Sequence, residues 1–162
     1  MKTIAMLATE RAYIAGFLDG DGSIIFQLVK RSDYRLGFQV RSSICFYQKH
    51  CCAGVLEWLK SRLQLGYLRR RGEMADYTVV GHSGVERVLC LIRPYVVVKQ
   101  AQVERGLELL KAAKQIRSAG DLIKVAAQVD EFSRLNYSKR RTITAVLVAE
   151  TLRGTKNRLL RC

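Results

Sequence analysis

The chain has few acidic residues, few histidines and no long apolar run. Asp and Glu number 14 against 28 Lys and Arg, so a chain of 162 residues carries a net charge of +14. An excess of this size requires a polyanionic partner, and nucleic acid is the usual one. No stretch approaches the length of a membrane-spanning helix and no lipidation motif is present, so we expect no membrane partner.

Metal-binding cysteine patterns are also missing. The five cysteines lack any C-x-x-C spacing, and two histidines add little, which makes a structural zinc site improbable. We expect free thiols in a reducing intracellular compartment. The adjacent pair Cys51 and Cys52 is interpreted as small, half-buried residues at a helix start.

Nothing in the sequence suggests a linker. Pro94 is the only proline, and no Gly/Ser-rich tract divides the chain. An apolar content of 49% argues for a folded protein. We therefore predict one domain over residues 1–162, with flexible ends at residues 1–10 and 154–162.

What the chain does contain is a distinctive stretch from Tyr13 to Ser23, YIAGFLDGDGS. It predicts a helix on which Ala12, Gly16 and Gly20 share one face, and small residues there allow another backbone to approach closely. Two aspartates follow at the negative end of the helix, where a cation is needed to compensate them. Hard oxygen ligands suit Mg²⁺ or Ca²⁺. Taken alone, the Asp-Gly repeat more often marks a helix stop with turn chemistry.

Alternating polar and apolar residues follow this helix. Residues 23–31 and 38–47 predict an antiparallel hairpin with one apolar and one polar face, and residues 66–80 predict a second hairpin. The remaining predicted elements are helices at 51–65, from a Ser83–Glu86 capping box to Ile92, at 98–115, from an Asp121 cap onward, and at 142–152. The fold class is α+β: a four-stranded antiparallel, saddle-shaped sheet with helices packed on one face, in the order αββαββα plus C-terminal helices.

The polar face of the predicted sheet is rich in Arg and Gln and nearly lacks Glu. These residue types read guanine and adenine edges, so we favour nucleic-acid contact over an ordinary solvated face. A nine-residue strand spans roughly 30 Å, the length of about nine base pairs. Hydroxyls and positive charges at 138–142 suit phosphates. The expected DNA-binding residues are Ile25, Gln27, Val29, Arg31, Asp33, Tyr34, Arg35, Gln39, Arg41, Ser43, Cys45, Lys49, Tyr67, Arg69, Arg71, Asp76, Thr78, Ser138, Lys139, Arg141 and Thr142.

The stretch IAGFLDGDGS resembles the signature of the LAGLIDADG homing endonucleases at nearly every position, and an alternating strand follows it as in that family. The similarity extends from about residue 10 to about residue 150. It is greatest to the single-motif, homodimeric branch of the family, whose members are encoded inside algal organelle introns. Supporting segments are FYQK at 46–49, GYLRRRG at 66–72, Asp76-Tyr77, Pro94 with Lys99-Gln100, and Leu135-Asn136 with Ser138-Lys139.

This resemblance implies a site-specific enzyme that makes a double-strand break with short 3′ overhangs in a long, roughly palindromic DNA site. One strand is cut per protomer by metal-activated water. Asp21 and the Gly20 carbonyl are implied to bind the metal, and Gln48 and Lys99 to act with Asp21 in catalysis by ordering solvent. Mg²⁺ is the expected cofactor, with Mn²⁺ a substitute and Ca²⁺ an ion that binds without supporting cleavage.

Because the chain has one copy of the motif, the resemblance implies that the motif helices of two protomers pack along a dyad. The expected dimer interface is Ala12, Tyr13, Gly16, Phe17, Asp19 and Gly20, with Asp19 supporting the helix end rather than binding metal. Expected partners are double-stranded DNA and a second copy of the chain. The gene is expected in an organelle intron, in the chloroplast first and the mitochondrion second.

One departure from the family pattern concerns Cys51 and Cys52, which stand where close relatives carry a basic residue. Neutral thiols cannot stabilise developing negative charge, so either Lys49 or His50 takes that role or activity is weaker. The alternative function is a non-cleaving DNA- or RNA-binding protein of the same fold, an intron maturase or a repressor. A basic membrane-surface protein is the third hypothesis.

Overall fold

The computed structural model describes residues 6–136 and 142–159. Four strands and six α-helices occur in these ranges, and they follow the predicted αββαββα order with further helices after it. A 3₁₀ turn at His50–Cys52 joins β2 to α2. The elements are α1 Ala8–Asp21, β1 Gly22–Lys30, β2 Phe38–Lys49, α2 Gly54–Leu63, β3 Tyr67–Arg71, β4 Met74–Val80, α3 His82–Ile92, α4 Gln100–Lys114, α5 Ala119–Ser133 and α6 Ala145–Leu159.

The four strands form one sheet in the order β1-β2-β4-β3. A short turn joins β1 to β2, which makes that pair antiparallel, and β4 is antiparallel to both of its neighbours. Strand β4 is therefore central. Its Asp76 lies opposite Tyr47 on one side and Arg69 on the other, while Thr78 lies opposite Cys45 and Tyr67.

Alternation along the first hairpin predicts its buried face correctly. Ile24, Phe26 and Leu28 of β1 are at most 6% exposed. On β2, Phe38, Val40, Ser42, Ile44 and Phe46 are buried, as the period of two requires. The predicted four-stranded antiparallel α+β fold is thus confirmed.

The chain divides into two compact units. The motif unit comprises residues up to 25 and residues 42–107. In its core, Ile14, Ala15 and Leu18 of α1 are fully buried, and the ring of Phe17 lies 5.6 Å from that of Phe46. The prediction of a single domain stays a prediction.

The second unit comprises residues 26–41 and those from 108 onward. Phe26 and Phe132 meet edge to face with their ring centroids 4.8 Å apart. Asp130 of α5 accepts a hydrogen bond of 2.8 Å from the backbone nitrogen of Ala145, which joins the start of α6 to α5.

Helix starts differ from several predictions. Helix α3 begins after Gly81, whose φ of +89° favours glycine, and no side chain caps it, so the Ser83–Glu86 capping box is wrong. Ser118, not Asp121, caps α5, and Asp121 is the third residue of the helix, whose side chain completes the capping box. Helix α4 begins two residues later than predicted and α6 three residues later.

The interpretation of Cys51 and Cys52 is wrong as well, because both side chains are exposed on the 3₁₀ turn rather than half-buried in a helix. Among the residues described, no helix is both long and apolar enough to cross a membrane.

Candidate active site and DNA-binding residues

The first aspartate of the motif, Asp19, binds backbone of its own chain. Its carboxylate accepts hydrogen bonds from the nitrogens of Val97, Val98 and Lys99 at 2.8, 3.1 and 2.9 Å. These N–H groups immediately precede α4, where backbone donors lack partners within the helix. The negative charge at the end of α1 is therefore compensated by the positive end of α4.

Lys99 binds back to the same residue. Its Nζ donates a 2.6 Å hydrogen bond to the carbonyl oxygen of Asp19, one of the carbonyls that the last turn of α1 leaves unpaired. The ammonium of Lys99, a predicted catalytic group, is thereby held at the end of the helix. Its partner Asp19 stands two residues before Asp21 in the sequence. The structure brings the Lys99 and Asp21 segments together.

Asp21 contrasts with Asp19. It is the last residue of α1 and is exposed, and across the described residues its carboxylate has no hydrogen-bond or ion-pair partner. Gly20 beside it is also exposed. A carboxylate without a partner and a carbonyl of the last helical turn, where carbonyls lack partners within the helix, fit a hard cation. Within the described part of the chain, no group of three or more His, Cys, Asp or Glu side chains could hold a metal ion.

The end of β2 lies beside the start of β1. Burial is the main cause that raises the pKa of Tyr47 to about 12, and Ser23, two residues after Asp21, acts in the opposite direction. The next residue, Gln48, accepts a 2.9 Å hydrogen bond from the backbone nitrogen of Lys49. Tyr47 is missing from the site residues that the sequence predicts, although its alternation with Ser43 and Cys45 places it on the polar face of the strand.

Three expected DNA-binding residues are buried in the free chain: Asp76 at 4%, Thr78 at 3% and Cys45 at 8% exposure. The Asp76 carboxylate pairs with the guanidinium groups of Arg71 at 3.1 Å and Arg69 at 3.6 Å. Thr78 donates to Asp76 at 2.9 Å, while Cys45 is itself buried. Their position on a central strand explains this, since larger side chains from both neighbouring strands cover them.

Arg69 and Arg71 are themselves half-exposed or more, and the Arg69 guanidinium lies 5.0 Å from the ring centroid of Tyr67. Arginine, aspartate and tyrosine therefore form one connected group on this face. Asp76 neutralises part of the charge and fixes where the two guanidinium groups point.

At the β1–β2 turn, Arg31 binds both carboxylate oxygens of Asp33 at 2.8 and 2.7 Å, and this hydrogen-bonded pairing lowers the pKa of Asp33. The same guanidinium lies 5.7 Å from the ring centroid of Tyr34. Arg35 donates to the backbone carbonyl of Arg117. Arg31, Asp33 and Tyr34 thus already contact one another, and Arg35 is bound elsewhere in its own chain.

The other expected DNA-binding residues are at least partly accessible. They are Ile25, Gln27, Val29, Gln39, Arg41, Ser43, Lys49 and Thr142. Ser138, Lys139 and Arg141 lie outside the described residues.

Helix α1 leaves its small-residue face open. Ala12, Gly16 and Gly20 are exposed, and a Cβ added at Gly16 or Gly20 would meet no atom within 4 Å. Tyr13 is 54% exposed and contacts Trp58 edge to face, whereas Phe17 packs largely on Phe46 of its own chain. Val97 and Val98, which sequence reasoning missed, are 80% and 73% exposed beside Asp19, and no local pattern marks them.

Comparison with known proteins supports the resemblance that the signature indicates. The family model described as LAGLIDADG endonuclease matches residues 14–104, which is more than half of the chain. The chain belongs to the LAGLIDADG endonuclease family. This confirms the family and the enzyme class that the sequence predicted, and the match contains Asp19, Asp21, Gln48 and Lys99 together.

Two curated relatives of this LAGLIDADG chain are named DNA endonucleases. It is 34% identical over 143 residues to DNA endonuclease I-CvuI of Chlorella vulgaris, covering 88% of this chain and 89% of that protein. It is 30% identical over 141 residues to DNA endonuclease I-CreI of Chlamydomonas reinhardtii, covering 86% of each.

Solved structures of the family agree with the fold. I-CvuI in complex with the I-CreI target in the presence of Mg matches with a TM-score of 0.85 and 33% identity over 90% of this chain and 94% of that one. I-CvuI with its own target and Ca matches equally well. The archaeal intron-encoded homing endonuclease I-Vdi141I, at 18% identity and a TM-score of 0.79, supports the fold alone over 90% of this chain and 96% of that one.

Proposed function

We propose that this protein is a homodimeric, site-specific homing endonuclease that cuts both strands of a long, roughly palindromic DNA site, one strand per protomer, leaving short 3′ overhangs. The observation that carries the proposal is the state of Asp21. It is an exposed carboxylate at the negative end of α1 with no partner in the described residues, while its neighbour Asp19 is fully engaged.

The dimer rests on the open face of α1. Glycine in a helix interior costs roughly 0.5–1 kcal/mol relative to alanine, and nothing inside the chain requires it at Gly16 or Gly20. A second copy of α1 approaching along this face accounts for both glycines. Tyr13, Val97 and Val98 supply exposed apolar surface that the same contact would bury.

DNA is recognised by the accessible Arg and Gln side chains of the strands. Arg69 and Arg71 are both held by Asp76, and bidentate arginine is the commonest reader of guanine. In this proposal Asp76 and Thr78 orient the arginines rather than contact bases themselves. The net charge of +14 adds phosphate attraction over the whole site.

A divalent cation, Mg²⁺ by preference, would be held by Asp21 and the Gly20 carbonyl of each protomer together with DNA phosphate and water. The single carboxylate per chain fits this, since Mg²⁺ is usually bound through one or two carboxylates and retains several waters. When bound, the ion supplies an activated water and stabilises charge on the phosphate. Two carboxylates brought close at a dyad repel, and positive charge held there would offset that repulsion.

The chain's own groups then have separate tasks. Asp21 would bind the cation, and Lys99 directs a positive charge to the end of α1, where it can face a scissile phosphate. Gln48 orders solvent from the end of β2. Asp19 is a positioning residue for Lys99, because it fixes the backbone on which that ammonium is carried.

The test is a cleavage selection on a randomised library of DNA sites with Mg²⁺, followed by mapping of both cut positions. We expect 3′ overhangs, activity with Mn²⁺, and binding without cleavage in Ca²⁺. Asp21→Asn should abolish cleavage and retain DNA binding. If wild type binds DNA or intron RNA tightly yet nicks no DNA, the maturase or repressor alternative is correct; undiminished cleavage by Asp21→Asn would exclude Asp21 as the metal ligand.

We further infer that the gene lies in an organelle intron, with the chloroplast as the first expectation and the mitochondrion as the second. The algal sources of both curated relatives support this. Sequencing the genomic flanks of the gene decides the matter, since homing requires that the joined flanks, without the intron, contain the selected cleavage site.

A further inference from the structure

The turn between β2 and α2 carries two neighbouring thiols that the proposed cleavage reaction does not use. Cys51 and Cys52 lie on the 3₁₀ turn His50–Cys52, and both are exposed. Their sulfur atoms are 3.7 Å apart, close enough for a hydrogen bond between the thiols. A disulfide bond is about 2.05 Å long, so the two sulfurs have to approach by roughly 1.7 Å to be joined.

We propose that Cys51 and Cys52 are a reversible oxidation site, which forms a disulfide between adjacent residues and lowers DNA cleavage while it is oxidised. The effect on cleavage rests on the proposed function. The oxidation itself does not depend on it.

The oxidant is a small-molecule disulfide such as glutathione disulfide. One cysteine thiolate attacks a sulfur of the oxidant, which forms a mixed disulfide and releases one small thiolate. The neighbouring thiol loses its proton to solvent and attacks the cysteine sulfur of the mixed disulfide, so that the Sγ–Sγ bond forms and the second small thiolate leaves. The two cysteines lose two electrons in total, and the oxidant gains them.

Adjacency makes this bond labile rather than structural. Consecutive Cα atoms across a trans peptide are about 3.8 Å apart, whereas disulfides usually join Cα atoms about 4.4–6.8 Å apart. A ring of this size therefore forces the peptide between the cysteines out of its relaxed geometry. Strained and exposed disulfides are the readily reduced ones, which suits a switch in a reducing compartment.

The other cysteines of the motif unit do not offer this chemistry. Cys45 is buried and accepts a 3.4 Å hydrogen bond from Thr78, so an oxidant does not reach it readily. Cys90 is exposed on α3 and no second thiol is recorded beside it among the described residues, which makes it a matched control for simple thiol modification.

The turn connects the thiols to the proposed active site. The backbone nitrogen of His50 donates to Glu73 at 2.7 Å, and that of Ala53 donates to His50 at 3.1 Å. Distorting the peptide between the cysteines strains this closed turn. The residue before the turn is Lys49, whose backbone nitrogen donates a hydrogen bond to the side-chain oxygen of Gln48. Oxidation therefore displaces Gln48 and Lys49 without touching Asp21.

The experiment uses the full chain, titrated with glutathione disulfide and quenched by alkylation. Peptide mass mapping should find the Cys51–Cys52 peptide lighter by two hydrogens and closed to alkylation, and dithiothreitol should restore it. Cleavage of the selected DNA site should fall about tenfold to a hundredfold in parallel, the scale on which misplaced catalytic groups act. Cys51→Ser should keep full activity under oxidant. Cys90→Ser should lose activity under oxidant to the same extent as wild type.

Other results overturn the proposal. Stable mixed disulfides on Cys51 or Cys52, or disulfide links between chains, exclude the intrachain bond. Equal inhibition of Cys51→Ser, or protection by Cys90→Ser, assigns the effect to another thiol. If the reduced protein cleaves no DNA, the proposed function fails on that result alone, and the mass readout still decides whether the bond forms.

Discussion

Asp19 and Lys99 bind each other in both directions. The carboxylate of Asp19 accepts the backbone N–H of Lys99 at 2.9 Å, and the Lys99 ammonium donates to the backbone carbonyl of Asp19 at 2.6 Å. The end of the motif helix and the start of α4 are thereby fastened together. The two motif aspartates consequently have different tasks, one inside the fold and one free for a ligand.

This difference gives the first prediction. Asp19→Ala leaves three backbone donors without their acceptor, so the free energy of unfolding should fall by about 2 kcal/mol, measured by urea denaturation. Cleavage should fall as well, because Lys99 is no longer positioned. Asp21→Ala is the matched control: it should abolish cleavage yet leave stability within about 0.5 kcal/mol of wild type. Equal destabilisation by both changes would contradict the division of roles.

The second prediction concerns the open face of α1. Gly16→Leu meets no atom of its own chain and replaces a poor helix former, so circular dichroism should report an intact fold. The bulky side chain should prevent two helices from approaching, and light scattering should then find a monomer that does not cleave. Gly154→Leu on α6, also in open space, should remain a dimer. A fully active Gly16→Leu dimer would show that α1 is not the interface.

The third prediction concerns Asp76. Asp76→Ala frees Arg69 and Arg71 from their shared carboxylate, so base discrimination under these arginines should relax by about 1–3 kcal/mol in a site-library selection. Overall affinity should hold or rise, since net positive charge increases. Asp33→Ala, which removes a comparable but exposed partner from Arg31, should leave discrimination beneath Arg69 and Arg71 unchanged. Unaltered selectivity of Asp76→Ala would remove the proposed orienting role.

The fourth prediction is a pH dependence. Burial raises the pKa of both Tyr47 and Tyr77 from 10.0 to about 12. Because the folded-state pKa is the higher one, their contribution to stability is complete below pH 10 and is lost as the pH rises towards 12. Ultraviolet titration of phenolate should find that Tyr47 and Tyr77 ionise late. Tyr77→Phe should remove one of them and, with it, the 2.6 Å hydrogen bond to the Leu65 carbonyl.

Much of the fold was readable from local pattern. The period of two placed Phe26, Val40 and Ile44 on the buried face, because a strand turns alternate side chains to opposite sides whatever else the chain does. The first residues of the helices are predicted less accurately by local pattern. Ser83 and Asp121 both look like caps in the sequence, yet the helices begin at His82 after a left-handed glycine and at Ala119 after Ser118. Several competing caps lie within one turn, and packing chooses among them.

By itself the sequence determined the motif helix, its small-residue face and its terminal carboxylates, since these follow from residue spacing and from a signature of ten consecutive positions. Tertiary structure decided which carboxylate stays free. Asp19 finds its donors 78 to 80 residues away, and no local pattern encodes where α4 begins relative to α1. The order of the strands likewise decided that Asp76 is covered by arginines, because burial of a strand residue depends on which strands lie on either side of it.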